Sequence, residues 1–97
     1  MEKIIVTRHS SVEKYIRIKG MVPSGTPCFP SVSPQFVEGK HVYGIIPFSL
    51  AAKCELFTEI KITLRRGIKN EELSEQELEA CVKEVRTYRV NEILKEI

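Results

Sequence analysis

The sequence lacks the features that mark several common protein classes. No apolar run approaches the ~20 residues that a membrane span needs, and the N-terminus has no long apolar region of the kind found in a signal peptide. Cys28, Cys54 and Cys81 are an odd number at wide spacing without a C-x-x-C pair. This spacing favours neither a disulfide framework nor a zinc knuckle. We therefore expect a cytoplasmic protein with reduced, buried thiols.

The net charge and the absence of common motifs exclude further classes of protein. A formal net charge of +2 is lower than expected for a protein that binds long nucleic acid. A local basic cluster would still suit a small phosphate-bearing ligand. The chain has no Walker motif, no G-x-G-x-x-G and no metal-ligand spacing of histidines and carboxylates. We expect no metal and no cofactor, so any phosphoryl chemistry must rely on side chains and backbone dipoles.

The length of 97 residues suits one domain, residues 1–97, built around one hydrophobic core. A domain of this size offers only a shallow site. For a ligand larger than a mononucleotide we expect a homodimer whose two equivalent patches meet across the twofold axis.

The first predicted elements are a strand and a helix. Ile4, Ile5 and Val6 form a short β-branched run typical of a strand buried on both faces. Ser10 and Glu13 have the S-x-x-E spacing of a capping box, which predicts that Ser10 caps a helix. That helix is predicted to end near Gly20.

The middle of the chain begins with a loop and returns to a strand. Residues 21–40 carry four of the five prolines and predict a loop, with a short edge strand near Cys28 and a helical turn from Ser33. Residues 41–47 predict a second core strand, after which Ser49 is expected to cap another helix.

The last third predicts another strand and the clearest helix. Residues 59–65 alternate as a strand with one more exposed face. Ser74 and Glu77 form a second S-x-x-E box, followed by an apolar stripe at helical spacing: Leu78, Cys81, Val82 and Val85. Two interpretations of the tail stay open. It is a terminal strand with Tyr88 and Val90, or a helical stripe that packs on a partner subunit: Val90, Ile93, Leu94 and Ile97.

Alternating strands and helices predict a small α/β domain with a mainly parallel sheet between helical layers. Ligands of such sheets gather at the carboxyl ends of the strands. Residues 7–11, 47–49 and 65–66 all fall at the carboxyl ends of predicted strands, so these three segments should converge on one edge.

The junction at residues 7–11 has the composition of an anion site. A helix N-terminus offers unpaired N–H groups and partial positive charge, and Arg8 adds a planar fork suited to phosphate oxygens. Thr7, Ser10 and Ser11 add hydroxyl donors. The alternative is that Arg8 pairs with a carboxylate and that Ser10 is only a cap.

The histidines and the paired arginines are less specific. His9 could carry a proton near neutral pH, but a lone histidine is more often a hydrogen-bonding residue. His41 begins a strand at the end away from the junction and is interpreted as structural. Arg65 and Arg66 would be solvated in most settings, although here they should end a core strand on the ligand edge.

Three stretches resemble a known family. "VTRHSSVEKYIRIKGM", "GKHVYGIIPFSLAAKC" and "NEELSEQELEA" are similar to small Csx-type CRISPR-associated proteins of type III systems, which are proposed ring nucleases with an N-terminal V-T-R-H motif. The resemblance covers most of the chain. It implies a Rossmann-like three-layer dimer that binds a cyclic oligoadenylate second messenger, with cyclic tetra-adenylate as the expected ring.

The resemblance also implies a reaction. A ribose 2′-hydroxyl attacks the adjacent phosphodiester, leaving a 2′,3′-cyclic phosphate and a free 5′-hydroxyl, with Arg8 stabilising charge and His9 moving a proton. The ligand-binding residues implied are Thr7, Arg8, Ser10 and Ser11, then Pro47 and Ser49, and finally Arg65 and Arg66.

Two other functions remain open at this point. A module that binds the cyclic nucleotide without cutting it would use the same phosphate-binding residues. The Arg8-His9 pair at a strand end is also similar to the R-H-G of histidine phosphatases, but those need a longer chain and a second active-site histidine, for which His41 is badly placed.

Overall fold

The computed structural model describes residues 1–63 and 74–93, which contain five strands and four helices. In chain order these are β1 Lys3–Val6, α1 Ser10–Ile18, β2 Cys28–Phe29, α2 Pro34–Val37, β3 His41–Gly44, α3 Phe48–Ala51, β4 Leu56–Ile62, α4 Glu75–Cys81 and β5 Val82–Tyr88. In the described part of the chain, no helix is both long and apolar enough to cross a membrane.

The strands form one sheet in the order β2-β1-β3-β4-β5. The pairs β1–β2, β1–β3 and β3–β4 are parallel, whereas β5 runs antiparallel to β4. The predicted α/β class with a mainly parallel sheet is confirmed. Because β1 to β4 share one direction, their carboxyl ends lie along one edge of the sheet.

Two apolar clusters pack on opposite faces of the sheet. One face combines Ile4, Val6 and Val42 with residues of α2 and α3, and the other combines Ile5 and Tyr43 with α1. Alternate residues of β1 therefore enter different clusters, as the pleat of a strand requires. Ile4 and Ile5 are fully buried, which confirms that β1 is covered on both faces.

Several local predictions are confirmed. The helix α1 ends at Ile18, and Gly20 follows with a φ of 66°, which suits glycine at a helix C-terminus. The Ser33 side chain accepts a hydrogen bond from the N–H of Phe36 at the start of α2. Ser74 and Glu77 form the full reciprocal capping box of α4.

Two predicted helix caps are wrong. The N-cap of α1 is His9, so Ser10 is the first helical residue, and the Glu13 carboxylate pairs with Arg17 at 2.9 Å. The N-cap of α3 is Pro47, which places Ser49 inside the first turn. In both cases the chain turns into the helix earlier than the hydroxyl spacing suggested.

The later strands also differ from their predicted bounds. The strand predicted over residues 59–65 is β4, which begins at Leu56 and, within the described residues, ends at Ile62. The stripe predicted to extend a helix to Val85 is divided, because α4 ends at Cys81 and β5 begins at Val82. Val82 to Tyr88 pair with β4, which supports the strand interpretation of the start of the tail. Leu94 and Ile97 lie outside the described residues.

The three thiols are free, as predicted, but only Cys54 is buried. Cys28 and Cys81 are half-buried. Cys28 owes its partial exposure to its place on the two-residue edge strand β2.

Candidate functional site

A cavity of about 280 Å³ lies at the carboxyl ends of β1, β2 and β3. Apolar side chains form its walls: Val6, Pro30, Ile45, Ile46, Pro47 and Leu50. Its polar lining comes from Thr7, Arg8, His9 and Ser31. The residues after β1 and β3 therefore meet, as the sequence predicted.

The cavity is shaped by a close approach of β1 and β3. Gly44 has a φ of 138°, and a Cβ atom built on it would lie 2.1 Å from the carbonyl oxygen of Val6. The same oxygen accepts a hydrogen bond from the N–H of Ile45 at 3.1 Å. Only glycine can occupy this position without displacing the strand, so Gly44 fixes where residues 45–47 leave the sheet and enter the cavity wall.

The turn between β1 and α1 fixes the backbone positions of Arg8 and His9. The buried hydroxyl of Thr7 accepts a hydrogen bond from the N–H of His9 at 3.0 Å. The carbonyl oxygen of His9 then accepts from the N–H groups of Val12 and Glu13. His9 is thus the N-cap through its backbone, and its imidazole is not needed to start the helix.

Arg8 is the cation among the described residues that line the cavity. Its side chain is exposed, and among residues 1–63 and 74–93 it makes no ion pair. A guanidinium placed beside the positive end of a helix dipole gives an electropositive rim. The alternative interpretation, in which Arg8 pairs with a carboxylate, finds no support in the described residues.

Two lining residues that the sequence did not reveal directly follow the edge strand β2. The N–H of Thr7 donates to the carbonyl oxygen of Phe29 at 3.0 Å, which brings Pro30 and Ser31 to the cavity. A proline-rich loop gives little indication of its strand partner. The available signal was the predicted edge strand near Cys28, whose pairing with β1 would have brought these residues to the ligand edge.

The other predicted site residues lie outside the cavity lining. Ser10 is exposed at the tip of α1, Ser11 is 2% exposed inside the helix, and Ser49 is exposed on α3. Arg65 and Arg66 fall outside the described residues. The structure therefore brings together Thr7, Arg8, His9 and Pro47, and a ligand role for the three serines stays a prediction.

A network behind the cavity joins α1 to β2. The Arg17 guanidinium donates to the carbonyl oxygen of Thr26 at 2.7 Å and pairs with Glu13. Burial is the larger cause, and the neighbouring Glu13 carboxylate, which is hydrogen-bonded to the thiol, is the second cause, by which the pKa of Cys28 is raised to about 11. The Cys28 thiol is therefore protonated near neutral pH and serves in packing.

His41 lies at the amino end of β3, away from the cavity. Its ring stacks on Tyr43 with centroids 4.2 Å apart, and its Nε2 atom is 2.6 Å from the hydroxyl of Thr58. Burial lowers the pKa of His41, and the charge of Lys3 lowers it further. These contacts support the structural role predicted for this histidine.

A second cavity, of about 310 Å³, lies between α1 and α4. Glu75 and Glu79 line it, and Lys19, its basic lining residue, forms an ion pair with Glu79. Carboxylates repel an anionic ligand, so this cavity suits a phosphate poorly. In the described part of the chain, no group of three His, Cys, Asp or Glu side chains could hold a metal ion.

The sequence profile of the family described as "Putative CRISPR-associated protein (Cas_VVA1548)" matches residues 4–91. The chain belongs to this CRISPR-associated family. The matched range includes every residue that lines the cavity and extends beyond β5. No curated protein and no solved structure shows a significant match. The CRISPR association expected from the sequence is confirmed.

Proposed function

We propose that this protein is a ring nuclease of type III CRISPR defence, which binds and cleaves a cyclic oligoadenylate without a metal ion. The observation that carries the proposal is that Arg8 and His9 both line one cavity whose walls are mostly apolar. A guanidinium that makes no ion pair within residues 1–63 and 74–93, and an imidazole beside a helix N-terminus, are the groups that a phosphodiester transesterification needs.

The proposed reaction uses a nucleophile that belongs to the substrate. The ribose 2′-oxygen attacks the adjacent phosphorus, the bond from phosphorus to the 5′-oxygen breaks, and a 2′,3′-cyclic phosphate forms. The proton of the 2′-hydroxyl leaves as the new bond forms, and the departing 5′-oxygen takes up a proton. His9 is the proton carrier for one of these transfers, and Arg8 stabilises the negative charge that grows on the phosphate oxygens.

The size of the cavity supports partial enclosure of the ligand. Small-molecule pockets usually exceed about 300 Å³, and this one measures about 280 Å³. It would therefore enclose one nucleotide of a ring such as cyclic tetra-adenylate, while the rest of the ring stays outside. The apolar walls favour a base or ribose, and the rim with Arg8 favours the phosphate.

The proposal includes the wider setting implied by the family resemblance. Residues 1–97 would form a single Rossmann-like, three-layer domain that acts in the cytoplasm. The mainly parallel sheet with apolar clusters on both faces supports this architecture.

The proposal is tested by incubating the purified protein with cyclic tetra-adenylate and separating the products by chromatography and mass spectrometry. Linear products that end in 2′,3′-cyclic phosphate are expected, with the same yield in the presence of a chelator. A ring that is bound but recovered intact would replace this function with that of a sensor or sequestering module. A ring that does not bind at all would reject both.

A further inference from the structure

The two edges of the sheet are protected to very different degrees. At one edge β2 has only two residues and lies between Pro27 and Pro30, which have no N–H to offer another strand. At the other edge β5 runs for seven residues without a proline. It pairs with β4 along one side, and no residue of the described chain pairs with its other side. The pairing of β5 with β4 shifts register between Lys61 and Ile62, and from Glu84 to Tyr88 it is regular. A proline-free edge of this kind is a template for a further strand.

The charges on β5 are arranged to match a second copy of the same strand. Glu84 and Arg86 flank Val85. If two copies of β5 pair antiparallel about a twofold axis at Val85, Glu84 lies opposite the partner's Arg86, and the same pair recurs on the other side of the axis. Centring the axis on Glu84 or on Arg86 would instead place like charges opposite each other, which is unfavourable.

The side chains are already placed for this pairing. Glu84 and Arg86 lie on one face of β5 with their charged atoms 2.8 Å apart, so both can turn to an equivalent pair across the edge. Val85 and Tyr88 are 38% and 39% exposed. A paired strand would cover part of this apolar surface.

We propose that β5 is an interface at which a second copy of this chain docks edge to edge, in the register that sets Val85 opposite the partner's Val85. The two sheets then form one continuous sheet with the twofold axis perpendicular to it. The parallel strands of the two copies run in opposite directions, so their cavities open at opposite ends. Each cavity would bind its own ligand, in contrast to the shared site expected from the sequence.

Charge exchange tests the register. Light scattering at micromolar concentration should report a dimer for the parent protein. Glu84→Arg and Arg86→Glu, made singly, each create like-charge pairs and should raise the dimer dissociation constant by about tenfold or more. The double exchange restores opposite charges and should return the constant to within about threefold of the parent. Lys53→Glu, on the exposed loop before β4, is the matched control for a charge change away from the edge.

Circular dichroism establishes that each variant is folded. A monomeric parent overturns the proposal, and so does a dimer that neither single exchange weakens. A folded double variant that stays as weak as the single ones also overturns it.

A cross-link tests the same interface without altering charge. Residues paired directly across antiparallel strands have Cα atoms about 4.5–5.5 Å apart, which suits a disulfide. Val85→Cys should therefore form a disulfide dimer under mild oxidation. Thr87→Cys should not, because its copies would lie roughly four residues apart along the strands, beyond about 7 Å. Equal cross-linking of both variants, or none for Val85→Cys, contradicts the register.

Discussion

The hydroxyl oxygen of Thr7 accepts a hydrogen bond from the backbone N–H of His9 at 3.0 Å. This bond holds the turn between β1 and α1 through a buried side chain and a backbone group, without using the side chain of either Arg8 or His9. Substituting those two side chains therefore leaves the bond in place. Variants of Arg8 and His9 can therefore test ligand binding and catalysis while the turn stays folded.

Arg8→Ala should weaken the affinity for cyclic tetra-adenylate by about 1.5 to 3 kcal/mol, the scale of a hydrogen bond to a charged group. The slope of affinity against salt concentration should also become smaller. Isothermal titration calorimetry at several salt concentrations measures both effects. Lys53→Ala, an exposed cation outside the cavity lining, should bind as the parent does. A folded Arg8→Ala protein with parental affinity would remove Arg8 from the site.

His9→Ala should bind the intact ring nearly as well as the parent but cleave it about 10²–10⁴-fold more slowly, the usual contribution of a general acid or base. The helix should survive, because the carbonyl oxygen of residue 9 still accepts from Val12 and Glu13. Single-turnover assays, with binding measured on the same samples, separate the two effects.

His41→Gln is the matched histidine control and should cleave at the parental rate, because His41 lies at the opposite end of β3. Parental cleavage by His9→Ala would assign catalysis to Arg8 and the backbone alone. A parent that is stopped by a chelator and restored by a divalent metal would contradict the metal-independent mechanism.

Gly44→Ala should lower the free energy of unfolding by about 3 kcal/mol or more, because the new methyl group would meet the Val6 carbonyl and strain the backbone. Gly39→Ala is the control. Its φ of 74° also disfavours alanine, but no atom lies within 4 Å of the added methyl. Urea unfolding followed by circular dichroism should rank Gly44→Ala as clearly the less stable variant. Equal losses would mean that the close approach to Val6 has little energetic weight.

Glu13→Gln should increase the reactivity of Cys28 toward iodoacetamide. Burial is the larger cause of the raised pKa of Cys28, but the Glu13 carboxylate adds to it, and removing that charge should raise the small fraction of thiolate. Alkylation rates followed peptide by peptide by mass spectrometry provide the measurement. The Cys54 peptide serves as the internal control. An unchanged Cys28 rate would assign its raised pKa to burial alone.

The stability of the protein should fall as the pH is lowered below about 6.5, the ordinary pKa of histidine. The folded state lowers the pKa of His41, so between the two pKa values the unfolded chain binds more protons and is favoured. His41→Gln should reduce the slope of unfolding free energy against pH between pH 7 and pH 5.5. An unchanged slope would show that other groups produce the acid sensitivity.

Elements bounded by local chemistry could be predicted from the sequence. Ser33 before Pro34, Ser74 with Glu77, and Gly20 after α1 each determine a helix end within a few residues, and all three appear as expected. The caps predicted at Ser10 and Ser49 failed for a non-local reason. The position at which each strand leaves the sheet makes the preceding residue, His9 or a proline, begin the turn.

The features that could not be predicted from the sequence depend on which strands pair with each other. Val82 and Val85 fit a helical stripe as well as a strand, and the antiparallel pairing with β4 decides between them. Ser31 joins the cavity because β2 pairs with β1, which no spacing within the loop indicates. Thr7, Arg8 and His9 could be predicted because they directly follow the strand that ends at the site.

The position of β1 in the sheet has a consequence for synthesis on the ribosome. β1 is translated before both of the strands that flank it, because Ile5 pairs with Cys28 and Ile4 pairs with Val42. The most apolar strand must therefore wait for both neighbours to be translated, and non-local pairing of this kind is slow to form. Until residue 44 has left the exit tunnel, the nascent chain exposes an unpaired aliphatic strand, and exposed strands of this kind are early points at which aggregation begins.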